Sequence, residues 1–402
     1  MRILWLNHRD PLHPEAGGAE VRIREVGKRL VKMGCDAKLI CERMKPSDNI
    51  TVILPTLGKD LHSLIETFFS FIENIIYLHE NFPSLSIKLV IVCNGCKIDP
   101  TFLRSLIRSE INYFDVDVLM LSKNYGYAGA IYIARSLYKD ADFYVISNDD
   151  IKIDQEDVLY RLIERIMRDA SIAVVSPKVL NYYNRDRYDY AGAAGFYLDF
   201  TLTPFCKGRL FELLTRDIYH DINFNVTAPS GCFMVLRNID ETKIDPYLFL
   251  TFEEADIGIK TLFKGFKICC DCKASIYHKG LHSFGSLYNP TRMYYVFRNR
   301  LYLLLKYSSI KYVFRILPLV IILDFVSAVL SSLTRNRATI LSWLMAYLTL
   351  IRSLKRIRVT RMAYKEYKAS IDYLYKRGLL VRDLVIIRYA LRSLYTKIRL
   401  KR

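Results

Sequence analysis

Glutamine is almost missing from this 402-residue chain, Gln155 being its only one. Depletion of a thermolabile amide is a compositional hint of a heat-adapted source. Acids are scarce in the last quarter: residues 300–402 hold 22 Lys/Arg against four acids, Asp324, Glu366, Asp372 and Asp383. The preceding residues hold 37 of each sign, so the tail carries the whole formal charge of +18. An electrically balanced body with a basic tail suited to an anionic surface follows. The chain opens without an uninterrupted apolar run, because Arg2 and the stretch from Asn7 to Asp10 break it, so a cleaved signal segment is not expected. Its nine cysteines lack the spacing of a secreted disulfide framework. Cys93-x-x-Cys96 and Cys269-Cys270-x-Cys272 have zinc-compatible spacing. Both lie in or beside apolar strand-like runs, where buried thiols are ordinary, and zinc is not expected.

What is present is a rhythm of strands and helices. Residues 1–46 read as a β-α-β fragment: strand 2–6, a Gly17-Gly18 loop, helix 19–32 and strand 37–40. The pattern restarts at Ile50, with strand-like runs at 50–54, 89–92, 116–121, 143–147 and 172–176. Helical stretches at 61–80, 101–108, 128–138 and 156–168 alternate with them. That alternation predicts an α/β fold with a mainly parallel sheet and right-handed crossovers. The continuous apolar character of the strands predicts that both faces are covered, a doubly wound sheet. Residues 181–221 lose the rhythm and are rich in Tyr, Gly and Asp, as a substrate-facing insertion would be. The expected organisation is 1–46, a main domain 47–307, and a basic, apolar helical tail 308–402.

Four motifs fall at the predicted C-terminal sheet edge, where open α/β sheets bind ligands. Pro55-Thr56-Leu57-Gly58 follows the first strand and Cys93-Asn94-Gly95 the second. Asn124-Tyr125-Gly126-Tyr127-Ala128-Gly129 leads into a helix, its glycines permitting close backbone approach. A helix N-terminus there favours diphosphate charge. Tyr144-Val145-Ile146-Ser147-Asn148-Asp149-Asp150 runs an apolar strand into a carboxylate pair. Hard divalent cations take oxygen ligands of that kind and can carry a nucleotide's diphosphate. A solvated turn is the bland reading of any one motif; their order and company favour a site.

These motifs, with Pro229-Ser230-Gly231-Cys232-Phe233-Met234, Phe252-Glu253-Glu254-Ala255-Asp256 and His278, resemble glycosyltransferase family 2, particularly its rhamnosyltransferase-like branch. The opening Met1-Arg2-Ile3-Leu4-Trp5-Leu6-Asn7 with Gly17-Gly18-Ala19-Glu20 resembles the start of glycosyltransferase family 4 proteins, whose catalytic parts are missing. The family 2 resemblance implies a GT-A fold and transfer of a sugar from a nucleotide sugar with inversion at the anomeric carbon. It implies that Asp150 is the acid of a Mn2+ or Mg2+ site, with His278 as its second ligand and His282 the alternative. It places Pro55, Thr56, Asn94, Gly126, Tyr127, Gly129 and Asp149 around the nucleotide. The family's Glu-Asp-x-Asp motif falls on Glu253-Glu254-Ala255-Asp256, so Glu254 is the implied base, Glu253 the runner-up and Asp256 a third catalytic acid. Cys93 stands where the family's base-contacting Asp is usual, so the nucleotide base does not carry over.

The tail holds two apolar runs, 316–334 broken by Asp324 and 338–351, with Arg335-Asn336-Arg337 between them. One span or two would place basic segments on the wrong side of a bilayer. Helices lying in the interface with Lys/Arg at anionic headgroups satisfy both observations. Nucleic acid is not an expected partner, because long apolar runs separate the charges. The expected activity is transfer to a lipid-linked or cell-surface glycan at the cytoplasmic face of a membrane. The rivals are a non-catalytic sugar-binding or assembly subunit and a polyprenyl-phosphate sugar synthase.

Overall fold

The computed structural model describes residues 3–7, 37–41 and 48–384, apart from 97, 100–113, 209–215, 221, 281–288, 335, 365–369 and 383. The helices expected at 19–32 and 101–108, and His282, lie outside the described residues. Strands β1 (Ile3–Asn7) and β2 (Ala37–Cys41) pair in parallel, as the β-α-β reading requires.

The main sheet is built from β3 (Asn49–Thr56), β4 (Ser86–Asn94), β5 (Asp115–Leu121), β6 (Phe143–Ser147), β7 (Ile151–Lys152), β8 (Ile172–Asn181), β11 (Asn223–Asn225), β12 (Phe233–Arg237) and β13 (Lys267–His278). Its order is β11-β13-β8-β12-β6-β3-β4-β5, with β7 added on β13. Strands β5, β4, β3 and β6 are mutually parallel, and β13 runs parallel to β8. The antiparallel β12 is inserted between β6 and β8. Six strands therefore end on one edge, and β12 starts there. This is the mainly parallel α/β sheet, covered on both faces, that the alternation of strands and helices predicts.

Alternate strand residues feed two cores, as a period of two demands. Val52 and Leu54 join Phe68, Phe71 and Ile75 of α1 (Leu61–Asn81) and Leu162 and Ile166 of α3 (Val158–Arg168). Ile53, Val90 and Val92 face the other way, towards α2 (Gly126–Leu137), α4 (Glu253–Phe263) and α5 (Pro290–Tyr307). Helix α1 starts where Asp60 accepts a bond from Ser63 N at 3.0 Å, satisfying one of the helix's unpaired donors. The region 181–221 holds a short hairpin, β9 (Phe196–Leu198) with β10 (Pro204–Cys206), and Asp189 to Ala191 at its start line the cavity described below.

The described residues between 310 and 381 pack against the preceding part of the chain. Helices α6 (Ile310–Thr334) and α7 (Thr339–Arg352) form a hairpin against α5, followed by α8 (Leu354–Tyr364) and α9 (Ile371–Lys376). Asp324, the break in the apolar run, is buried, pairs with Arg300 of α5 and accepts the Tyr347 hydroxyl at 3.1 Å. Ile371, Leu374 and Leu380 return to the main core, and Val381 bonds backbone to backbone with Leu198 and Phe200 at 3.0 Å each. Ile310–Leu333 is long and apolar enough to cross a membrane, with 22% of its most apolar window buried.

Candidate active site

At the sheet's C-terminal edge lies a cavity of about 370 Å³. Pro55 and Thr56, which end β3, line it. Thr56 is buried; its hydroxyl donates to Asp149 Oδ2 at 2.5 Å and accepts from Gly58 N at 2.9 Å. Asn94, the last residue of β4, lines the cavity, but its side chain is spent on the neighbouring loop. Its amide donates to Asn124 Oδ1 and to Gly126 O, both at 3.1 Å, and its carbonyl accepts from Tyr125 N at 2.9 Å. This fixes the start of α2. Gly126 has φ +76°, and a Cβ there would stand 2.3 Å from Phe249 O, so only glycine fits. The Tyr127 hydroxyl donates to Gly231 O at 2.9 Å. Gly129, expected at the nucleotide, lies inside α2 against Tyr125 and is not in the cavity wall. Cys93 also faces away, into the core beneath α1, its thiol pushed up to about 12 by burial and by Cys96.

The carboxylate pair follows β6. Burial, then the charge of Asp150, pushes Asp149 up to about 6 against the bond from Thr56. Asp150 Oδ1 lies 3.3 Å from His278 Nε2, and His278 Nδ1 lies 2.9 Å from Asp189 Oδ1. Burial works against a charged imidazole, but the two carboxylates flanking it hold His278 well above its usual range. Asp189 is itself placed by bonds from Ala191 N at 2.9 Å and Asn181 Nδ2 at 3.3 Å. A carboxylate behind the far nitrogen of a histidine fixes the ring so that its other nitrogen faces a shared ligand.

The opposite wall is the turn into α4. Phe249, Thr251 and Phe252 all have positive φ, between 63° and 70°, a conformation that costs non-glycine residues about 1 kcal/mol or more each. Asn299 of α5 holds them there, donating to the carbonyls of Leu248, Leu250 and Thr251 at 2.8 to 2.9 Å. The turn delivers Glu253 and Glu254 to the cavity. Burial raises both carboxyls; the Glu254 charge raises Glu253 further, whereas Arg292 and Glu253 itself draw Glu254 back. Glu253 is held well above its usual range and Glu254 is raised as well. Gly231 leaves space in front of Glu254, a Cβ there standing 3.6 Å from its carboxylate.

Asp256, expected beside them, is not in the cavity. It is fully buried behind α4, pairing with Lys260 at 2.7 Å and Lys306 at 3.1 Å and accepting the Tyr307 hydroxyl at 2.6 Å. Burial would raise its carboxyl, but the two lysines hold it well below its usual range. Its partnership is structural, joining α4 to α5.

Among the described residues no group of three or more His, Cys, Asp or Glu side chains is arranged to hold a metal ion, the cysteines included. Asp150 and His278 make a two-ligand set facing the cavity. That suits a cation such as Mg2+, which keeps waters and takes substrate phosphates, better than an all-protein cage. Sequence reasoning missed Asp189, Tyr190, Lys279 and Arg292, all in the wall. Lys279 directly follows His278 and is held by Glu66 at 2.6 Å. The other three sit outside any motif.

No protein-family profile and no curated protein sequence matches the chain. Several solved structures align with it. GalNAc-T7 with UDP, GalNAc and Mn2+ is 17% identical, with a TM-score of 0.44, over 57% of this chain and 43% of its own. S. aureus TarS 1–349 is 15% identical, with a TM-score of 0.38, over 63% of this chain and 64% of its own. The same protein with UDP-GlcNAc aligns over 82% of this chain and 92% of its own, at 14% identity and a TM-score of 0.47. The chain thus spans less than two thirds of the first two. At these scores the functional reading rests on the site itself.

Proposed function

We propose that the chain is an inverting GT-A glycosyltransferase of the family 2 type, moving a sugar from a nucleotide sugar to a lipid-linked or cell-surface glycan. One observation carries the reading: the strand-end acids Asp149 and Asp150 with His278, and the Glu253–Glu254 pair on α4, share one cavity. A ligand set for diphosphate and a carboxylate pair for proton transfer are what sugar transfer needs on two sides of one substrate.

The start of α2, fixed by Asn94 and Asn124, lines the cavity with Gly126 and Tyr127, and the positive end of the helix dipole suits an anionic diphosphate. Asp150 and His278 would hold a Mn2+ or Mg2+ ion, which would supply positive charge where the diphosphate departs. Asp189 holds His278 in position for that role. Glu254 accepts the proton of the acceptor hydroxyl as its oxygen attacks the anomeric carbon from the face opposite the leaving group. Glu253, whose carboxyl burial and the Glu254 charge push well above its usual range, is the member of the pair suited to keep a proton, leaving Glu254 to act as base. The fixed turn at 249–252 supplies the orientation on which much of the acceleration rests.

The membrane reading is supported by the α6–α7 hairpin, which leaves Phe314 78% and Leu333 79% exposed. Arg352, Lys355, Arg356 and Arg358 follow it directly. Apolar faces beside basic side chains suit the interface of an anionic membrane, here its cytoplasmic face.

Thermal unfolding with UDP, dTDP and GDP, each with and without Mn2+, tests the donor site. Binding to the native state raises the midpoint through linkage. A metal-dependent rise with one nucleotide, lost in Asp150→Ala, is the expected result; no rise with any nucleotide overturns the reading. Glu254→Gln keeps the rise but lowers the transfer rate by about 10²- to 10⁴-fold, the usual worth of a general base.

A further inference from the structure

The turn at 249–252 that delivers Glu253 and Glu254 is gripped from a second side, by the tail. A single helical turn, Pro246–Leu248, leads into it, and Tyr247 there is a junction. Its hydroxyl shares a hydrogen bond of 2.6 Å with the hydroxyl of Ser353, the residue between α7 and α8. The guanidinium groups of Arg298 in α5 and Arg356 in α8 lie 4.6 and 4.5 Å from its ring centre, within cation–π range. Arg356 also reaches Asp245 at 3.5 Å, and Asp245 caps the same helical turn by accepting from Tyr247 N at 3.0 Å. Further along α8, Arg361 donates to the Leu305 carbonyl of α5 at 3.1 Å. Backbone at unfavourable φ persists only where its surroundings over-determine it, and α8 is part of those surroundings.

A second observation is that α8 is weakly seated. It has 11 residues, a length at which an isolated helix is marginal. Among its described side chains only Ile357 is buried. The inward side is Ser353, Arg356, Ile357 and Arg361, spaced as one helix face. The outward side is Leu354, Lys355, Arg358 and Val359, all exposed, Leu354 at 53% and Val359 at 62%. Positions 354 and 358, and 355 and 359, are helical neighbours, so two cations and two apolar side chains share one patch. Such a patch suits the headgroup region of an anionic membrane. A surface that binds the seated helix and not the detached one stabilises the seat by mass action.

We propose that α8 is a membrane-responsive clamp: anionic lipid headgroups on its Lys355–Arg358 side seal it against Tyr247 and so fix the turn that presents Glu254. This rests on the membrane reading and goes beyond it, because the surface then sets the geometry of the site as well as its location. Tyr247 is the positioning residue that carries the effect.

The test uses the full chain with phosphatidylglycerol–phosphatidylcholine vesicles, phosphatidylcholine vesicles, or inorganic phosphate. Co-sedimentation reports vesicle binding, and hydrogen exchange of the amides from Tyr247 to Phe252 reports the turn. With anionic lipid at about ten times its apparent Kd, exchange in the wild-type turn should slow by as much as about tenfold, the limit set by linkage. Tyr247→Phe keeps the ring and loses the bond to Ser353; Ser353→Ala loses it from the other side. Both variants should still sediment with anionic vesicles, with the slowing of the turn largely gone. A bond that served stability alone would speed exchange equally with and without lipid. Wild type that binds anionic vesicles with unchanged exchange in the turn overturns the proposal, as does undiminished slowing in both variants. Equal slowing by neutral vesicles or by inorganic phosphate overturns the assignment to an anionic surface. Wild type that binds no vesicles defeats the membrane reading itself, and the clamp with it.

Discussion

At the residue scale, α4 separates three acids that look alike in sequence. An α-helix turns about 100° per residue, so Glu254 and Asp256 point in nearly opposite directions. One carboxylate reaches the cavity and the other is locked between Lys260 and Lys306. A motif written as Glu-Glu-x-Asp hides that divergence unless its helix is placed first. Asp256→Asn is expected to lower stability at pH 7 by about 3–5 kcal/mol, the cost of leaving a buried pair half broken. The acid's folded value is depressed below its unfolded value of about 3.9, so its stabilisation is present above that pH and lost as pH falls below it. Urea unfolding at pH 7 and at pH 3 should show the gap between wild type and Asp256→Asn closing in acid. A constant gap would mean that packing rather than charge holds Asp256.

At the scale of elements, the strained turn at 249–252 depends on a side chain some fifty residues later. Asn299 donates to three carbonyls of that turn, and Arg298 donates to Tyr247 and Leu248 at 2.7 and 2.8 Å. Removing Asn299 leaves buried carbonyls unsatisfied, at about 1–3 kcal/mol, and lets the turn relax from its positive φ values. Asn299→Ala should therefore lose more transfer rate than its loss of stability accounts for, with nucleotide-induced stabilisation kept. Equal loss of both would reduce Asn299 to a packing residue. None of this was legible in the sequence, because nothing local marks an asparagine inside a helix as the anchor of a distant turn. The strand rhythm and the edge motifs were legible, because alternation and apolar runs are local signals. Thus β3, β4, β5, β6 and β8 contain the expected runs. Asp189 was not, since it lies in the irregular segment after β8 and acts through a histidine some ninety positions away. Gly129 lies outside the cavity wall for a related reason: its loop ends at Gly126, so the second glycine of the motif is already in the helix.

At the scale of the molecule, the tail does two jobs that the sequence presents as one. The hairpin turns apolar side chains outward, while 371–381 closes the main core through Ile371, Leu374 and Leu380. Truncation after Lys311 would strip that closure and confuse unfolding with loss of membrane binding. Substituting Phe325, Leu330 and Leu333, each at least 46% exposed, by serine tests the surface alone. Co-sedimentation with anionic vesicles should fall while the melting temperature holds, since exposed positions carry little folding energy. Undiminished vesicle binding would remove the hairpin from the membrane contact and leave the basic side chains as its basis.

Gly126 bears on how such a protein can be re-engineered. Its missing side chain lets the loop before α2 rest on the Phe249 carbonyl, which also accepts Ala128 N at 3.2 Å. The loop before α2 and the turn that leads into the glutamates are therefore fitted surfaces. A chimera that exchanges the 249–252 turn for a foreign one inherits a mismatch at residue 126. The smallest transplantable unit is loop, turn and the stretch of α5 containing Asn299 together.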